Sequence, residues 1–216
     1  SVDNLKVELF NSLNFSNINL EFFTDKNDLL IKNIIGKLDN IKISDGDIKL
    51  NFDTGMKLTS NFNSKFNIDE KFFKKYDKFF NKYEFYKNIK NLKVNLNNNL
   101  NIDFDKTYKI KDYNYRISGN LEKAKFELVK SFKNSFITER IKHIYLSNFK
   151  ISTIFVPNKI QTKGEGKYSF NNLDYLNLNL SNNFDKDTIN LKLNFDYKNS
   201  LDLLFINYKK SKNSLA

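Results

Sequence analysis

The chain predicts a mostly β fold: a long antiparallel meander forming a curved open sheet, a β-groove, with one or two short amphipathic helices. Three observations carry this. Apolar residues recur at every second position in run after run. Turn-forming dipeptides separate those runs at roughly 8–12 residues, the spacing of an all-β meander. Only two stretches keep a helical period instead. Successive strand side chains point to opposite faces, so each run is apolar on one side and wet on the other.

The runs come in order. Leu5-Val7-Leu9 opens the series, and Ile41-Ile43 and Ile48-Leu50-Phe52 flank Asp45-Gly46. Leu92-Val94-Leu96 and Leu100-Ile102-Phe104 alternate with Lys, Asn and Asp. Tyr113-Tyr115-Ile117, Leu176-Leu178-Leu180 and Ile189-Leu191-Leu193-Phe195-Tyr197 repeat the beat. Asp45-Gly46, Gly119-Asn120, Pro157-Asn158, Asn171-Asn172, Asn182-Asn183 and Asn199-Ser200 read as turns. From Asp69 to Tyr86, Phe72, Phe73, Tyr76, Phe79, Phe80 and Tyr83 form one helical stripe, with Asp69 as N-cap and Glu70 in the first turn. A second stripe, Phe132, Phe136, Ile137 and Ile141, predicts a helix over 129–142. Both stripes read as packing against the sheet. Two helices are few for so many one-sided strands, which leaves a two-sheet sandwich, a closed barrel, or an open curved sheet with a ligand on its apolar face.

Composition excludes much chemistry. The 216 residues contain no Cys, and His143 is the single histidine, so disulfides, thiolate metal sites and histidine clusters are out. The net charge of +11 invites a nucleic-acid reading. Yet Arg116 and Arg140 are the only arginines, and one residue in six is Asn. Lys, Asn, Ile, Phe and Tyr share A/T-rich codons, so the skew reads as genome bias. Without the bidentate fork of Arg, no nucleic-acid partner is expected. The longest apolar runs, such as Leu203 to Ile206, fall far short of the ~20 residues of a spanning helix. Opening on Ser1-Val2-Asp3 rather than Met, the chain reads as a segment of something longer.

Motifs that resemble chemistry are short. Asp53-Thr54-Gly55 matches the aspartic-protease triplet, but Met56 follows and no second copy occurs, so it reads as a turn. Asp45/Asp47 and Asp103/Asp105 lack the rest of a calcium loop and read as a hairpin tip and an outward strand face. Gly164-Glu165-Gly166 lacks the following helix that phosphate cradling needs and reads as a strand entry or bulge. Asn14-Phe15-Ser16 is a sequon expected by chance. No nucleophile–base pair stands out; the chain reads as no enzyme, with no metal and no cofactor.

Gly36-Lys37-Leu38-Asp39-Asn40-Ile41-Lys42-Ile43-Ser44-Asp45-Gly46-Asp47-Ile48-Lys49-Leu50 resembles the strand units of the AsmA-like family, the bridge-like envelope proteins that include TamB and YhdP. Ile117 to Leu121 with Ala124 to Leu128, and Lys163 to Phe170, resemble the same units. The segment 69–86 departs from the family's pattern. The resemblance implies that all of 1–216 is one piece of a repeating β-groove, with a helical insertion at about 69–86. It implies a periplasmic location in a Gram-negative envelope and an inner-membrane anchor outside this chain. Phospholipid acyl chains are then the expected partner, other envelope proteins are possible ones, and the role is lipid transport in outer-membrane biogenesis. The expected lining is Ile41, Ile43, Ile48, Leu50, Phe52, Leu92, Val94, Leu96, Leu100, Ile102, Phe104, Leu176, Leu178, Leu180, Leu191, Leu193 and Phe195, continuous and without polar clamps, with Lys side chains on the rims. The competing expectation is a closed sandwich serving as an interaction or assembly module without lipid.

Overall fold

In the computed structural model, which describes residues 1–9, 13–53, 55–80, 84–132, 140–203 and 206–214, each strand pairs with its neighbour in sequence. The order is β1 (Val2–Leu9), β2 (Leu13–Thr24), β3 (Asp28–Leu38), β4 (Ile41–Asn51), β5 (Lys57–Asp69), β6 (Ile89–Phe104), β7 (Ile110–Phe132), β8 (Ile141–Val156), β9 (Lys159–Ser169), β10 (Leu176–Asp185) and β11 (Thr188–Phe195). They form one eleven-stranded antiparallel meander that does not close on itself. Of the three architectures compatible with one-sided strands, the chain adopts the open curved sheet.

The apolar alternation slips phase at several places, and the backbone absorbs each slip. In β8 the inward residues are Ile144 and Leu146, then Phe149, Ile151, Thr153 and Phe155. Asn148 sits at the slip with φ 48°, and two β8 residues there face one on β9. That is a β-bulge, which restores the inward direction after an odd number of residues. Asn4, Asn17, Asn33 and Asp45, at φ between 50° and 55°, mark equivalent slips in β1 to β4. Asn and Asp tolerate this left-handed conformation better than other side chains, because they can hydrogen-bond locally. The bulges also brace one another: Asn19 Oδ1 accepts from the Asn4 N–H at 2.6 Å, and Asp47 Oδ1 accepts from the Asn33 N–H at 3.3 Å.

Three turn expectations are corrected, and only the first of them coincides with a bulge. Asp45-Gly46, Gly119-Asn120 and Asn182-Asn183 are not turns but lie inside β4, β7 and β10. Asp45 and Asp47 are therefore no hairpin tip. Strands such as β6, β7 and β8 run 16, 23 and 16 residues, longer than turns at those dipeptides would allow. Pro157-Asn158 and Asn171-Asn172 do lie between strands. Gly164 and Gly166 sit within β9, where they admit the Phe149 ring. A Cβ on Gly164 would come within 2.3 Å of Phe149 Cε1, and one on Gly166 within 2.5 Å of Phe149 Cα.

The predicted insertion holds α1 (Glu70–Lys75), α2 (Asp77–Phe80) and a 3₁₀ turn at Glu84–Asn88. The Asp69 carboxylate accepts from the Lys71 and Phe72 N–H groups at 3.0 and 3.2 Å, capping α1. Phe72, Phe73, Tyr76 and Tyr86 are buried against Leu38 and Ile68, with Leu13, Phe15, Ile41, Phe66, Ile89 and Leu92 around them. The Tyr76 hydroxyl donates to Asp39 at 2.6 Å, so its one polar atom is satisfied. The side chains of Phe79 and Phe80, and the whole of Tyr83, lie outside the described residues. The second helix expected over 129–142 is a correction: Val129–Phe132 continue β7 and Ile141–Lys142 begin β8, with 133–139 outside the described residues. A small hairpin of β12 (Leu201–Leu203) and β13 (Tyr208–Lys210) ends the chain.

Candidate functional site

Sixteen of the seventeen expected lining residues fall on one face of the sheet, because the bulges keep the apolar phase inward; Phe52 stands just past the end of β4. Directly opposed residues trace rows along the stack of strands. One row runs Leu38–Ile41–Phe66–Val94–Leu121 in β3 to β7, and Leu178 and Phe195 face each other in β10 and β11. Another runs Leu50–Leu58–Ile102–Tyr113 through β4 to β7. Val94 is buried; Phe52, Leu191, Leu193 and Phe195 are exposed; the other twelve are half-buried. Among the described residues the other sheet is the two-stranded β12–β13 hairpin, too small to face this one along its length.

Cover is lopsided. Where the rows reach Ile68 and Leu92, α1 and the 3₁₀ turn lie on the sheet. Beyond Tyr168, the chain leaving β11 crosses over: the Tyr168 hydroxyl donates to the Asp196 carbonyl at 2.5 Å, Tyr197 is buried, and Lys210 stands 5.6 Å from its ring centre. Burial, with Tyr197 and Asp196 beside it, pushes the Tyr168 phenol up to about 12. Along the opposite hairpin ends Phe52, Tyr108, Ile110, Tyr113 and Ile189 remain exposed.

The lining is not uniformly apolar, which corrects the expectation of a face without polar clamps. A hydrogen-bonding row runs down its middle. Asn98, 5% exposed, donates from Nδ2 to Ser64 Oγ at 2.9 Å and to the Phe62 carbonyl at 3.2 Å. Its Oδ1 accepts from the Tyr115 hydroxyl at 2.8 Å, and burial raises the Tyr115 phenol above its ordinary value. Two strands on, Thr153 and Thr162 pair at 3.2 Å, and Asn182 stands opposite Thr162 with its Oδ1 buried and unpartnered. The signal was present in the sequence: Asn98, Thr153 and Asn182 occupy apolar-phase positions among Val94, Leu96 and Leu100, among Ile151 and Phe155, and after Leu180.

The reverse face carries the charge. Lys93 pairs with Glu122 at 2.5 Å, and Lys90 and Lys142 pair with Glu127 at 2.9 and 3.2 Å. A shallow depression of about 600 Å³ opens there between Lys37–Lys42–Lys65–Asn95 and Ser44–Asn63–Asn97, with Ile35, Ile43 and Leu96 also at its wall. His143 is half-buried in β8, its pKa lowered by desolvation and then by Lys125. Asp53 is an exposed loop residue bonded to Asn51 at 3.1 Å, and Thr54 lies outside the described residues. Asp105 closes its own turn by accepting from the Thr107 N–H and hydroxyl.

What the apolar face can do is hold hydrocarbon. No family model, curated protein or solved structure matches this chain.

Proposed function

We propose that the chain is a non-catalytic segment of a bacterial envelope protein that carries phospholipid between inner and outer membrane. The acyl chains lie on the apolar face. The observation that supports this reading is the unclosed sheet, whose long apolar face has, among the described residues, no second protein layer over most of its length. Each methylene moved from water onto such a surface gains about 0.8 kcal/mol. Eleven strands about 4.8 Å apart extend the face over about 48 Å, longer than the ~30 Å hydrocarbon core of a bilayer. The head group stays in water beside the hairpin-turn rim. There Lys57, Lys109 and Lys159 offer compact, exchangeable charges for phosphate, interspersed with Asp53 and Asp105.

Mass spectrometry of lipid co-purified with the chain tests the reading, using two substitutions that differ in burial. Leu193 is 44% exposed, so Leu193→Asp is expected to keep the fold and lose lipid. Val94 is 6% exposed, so Val94→Asp is expected to unfold the sheet, since it buries an unpaired charge. Ile102→Asp, half-buried, is expected to fall between them. A folded wild-type chain free of lipid after incubation with phospholipid vesicles would refute the reading.

A further inference from the structure

The two edges of the sheet differ. β1 is broken by two register shifts in eight residues and kinked at Asn4, which blunts it as a template for another strand. β11 pairs with β10 in unbroken register, contains no proline, and is exposed along its whole length. The Asp196 N–H bonds to the Asn177 carbonyl of the β10 side. By the alternation of an antiparallel ladder, even-numbered residues of β11 therefore bond inward, and Ile189, Leu191, Leu193 and Phe195 turn their N–H and C=O groups outward. The same four residues expose their side chains on the apolar face, at 68%, 57%, 44% and 47%.

We propose that this edge is a self-association surface on which β11 of a second copy pairs antiparallel about a two-fold axis through Leu191. The register is self-complementary. Leu191 meets Leu191, and Ile189 meets Leu193, so on the order of six backbone bonds form between groups now facing water. On the polar face Asn190 meets Lys192, so the edge lysines are not opposed. At the ends Lys186 approaches Asp196, giving opposite charges twice over. The apolar faces of the two copies become one continuous surface. The inference is independent of lipid carriage, since it rests on the strand edge and not on what occupies the face.

Sedimentation of the full chain at micromolar concentration reads the assembly state, and twice 25.6 kDa is expected. Leu191→Pro removes an N–H that points away from β10, so it is expected to keep the circular-dichroism spectrum and abolish the dimer. Because the chain has no cysteine, single substitutions also read the register. Leu191→Cys places two thiols on residues about 5.5 Å apart and is expected to cross-link on mild oxidation. Ile189→Cys places them about 13 Å apart and is expected not to. A monomeric wild-type chain, or equal cross-linking at 189 and 191, would overturn the proposal.

Discussion

Gly119 shows how closely β6 and β7 approach. A Cβ there would stand 2.0 Å from the Asn95 carbonyl oxygen, a backbone atom that cannot swing aside. Gly119→Ala is therefore expected to lower the urea midpoint by about 1–3 kcal/mol equivalent, the range of an overpacked site. At Glu127, hydrogen bonds first from Lys90 and then from Lys142 hold the carboxyl at about 2, below its ordinary 4.5. A carboxyl depressed in the folded state stabilises it above the unfolded value. That contribution fades as pH falls through the folded one. Stability should accordingly decline between about pH 4.5 and 2, and Glu127→Gln should flatten that decline in urea titrations at stepped pH. Glycine contacts of this kind were not legible in the sequence, because they depend on which strand lies beside which.

Among elements, the bulged strands combine what was legible with what was missed. The apolar alternation identifies strands correctly, and its phase slips at Asn17, Asn33, Asp45 and Asn148 were visible as well. Reading Asp45-Gly46 as a turn failed because Asp serves both turns and left-handed bulges, whereas Gly119-Asn120 and Asn182-Asn183 are simply regular strand, and only partner strands distinguish these uses. Asn148→Val should cost about 1–2 kcal/mol, since a β-branched residue resists φ near 48°, whereas Asn148→Gly should be close to neutral in the same denaturation assay. In α1 the N-cap was legible at Asp69, and Asp69→Ala should cost about 1 kcal/mol. The second helix failed at Val129–Phe132, which extends β7 past an irregularity to the Phe132–Ile141 pair, because the local pattern there was ambiguous between helix and strand.

At the scale of the whole molecule, an imbalance of many one-sided strands and too little helix narrowed the architecture to a sandwich, a barrel or an open sheet. The open sheet among them was the expectation that the family resemblance implied. The hydrogen-bonded row through Asn98 was overlooked because a polar residue in apolar phase resembles noise within an Asn-rich chain. Every strand of the sheet hydrogen-bonds only to the strands before and after it in sequence, and side-chain contacts such as Tyr168 with Phe195 reach one strand further. Cooperativity in such a ladder passes from neighbour to neighbour, as in a stack of repeats. Amide protons in β6 and β7 should therefore exchange with solvent most slowly, with protection falling towards β1 and β11, when followed by hydrogen-exchange mass spectrometry. Melting then proceeds as fraying from both margins, and evolution can splice whole hairpins into the ribbon, or out of it, without redesigning a central core.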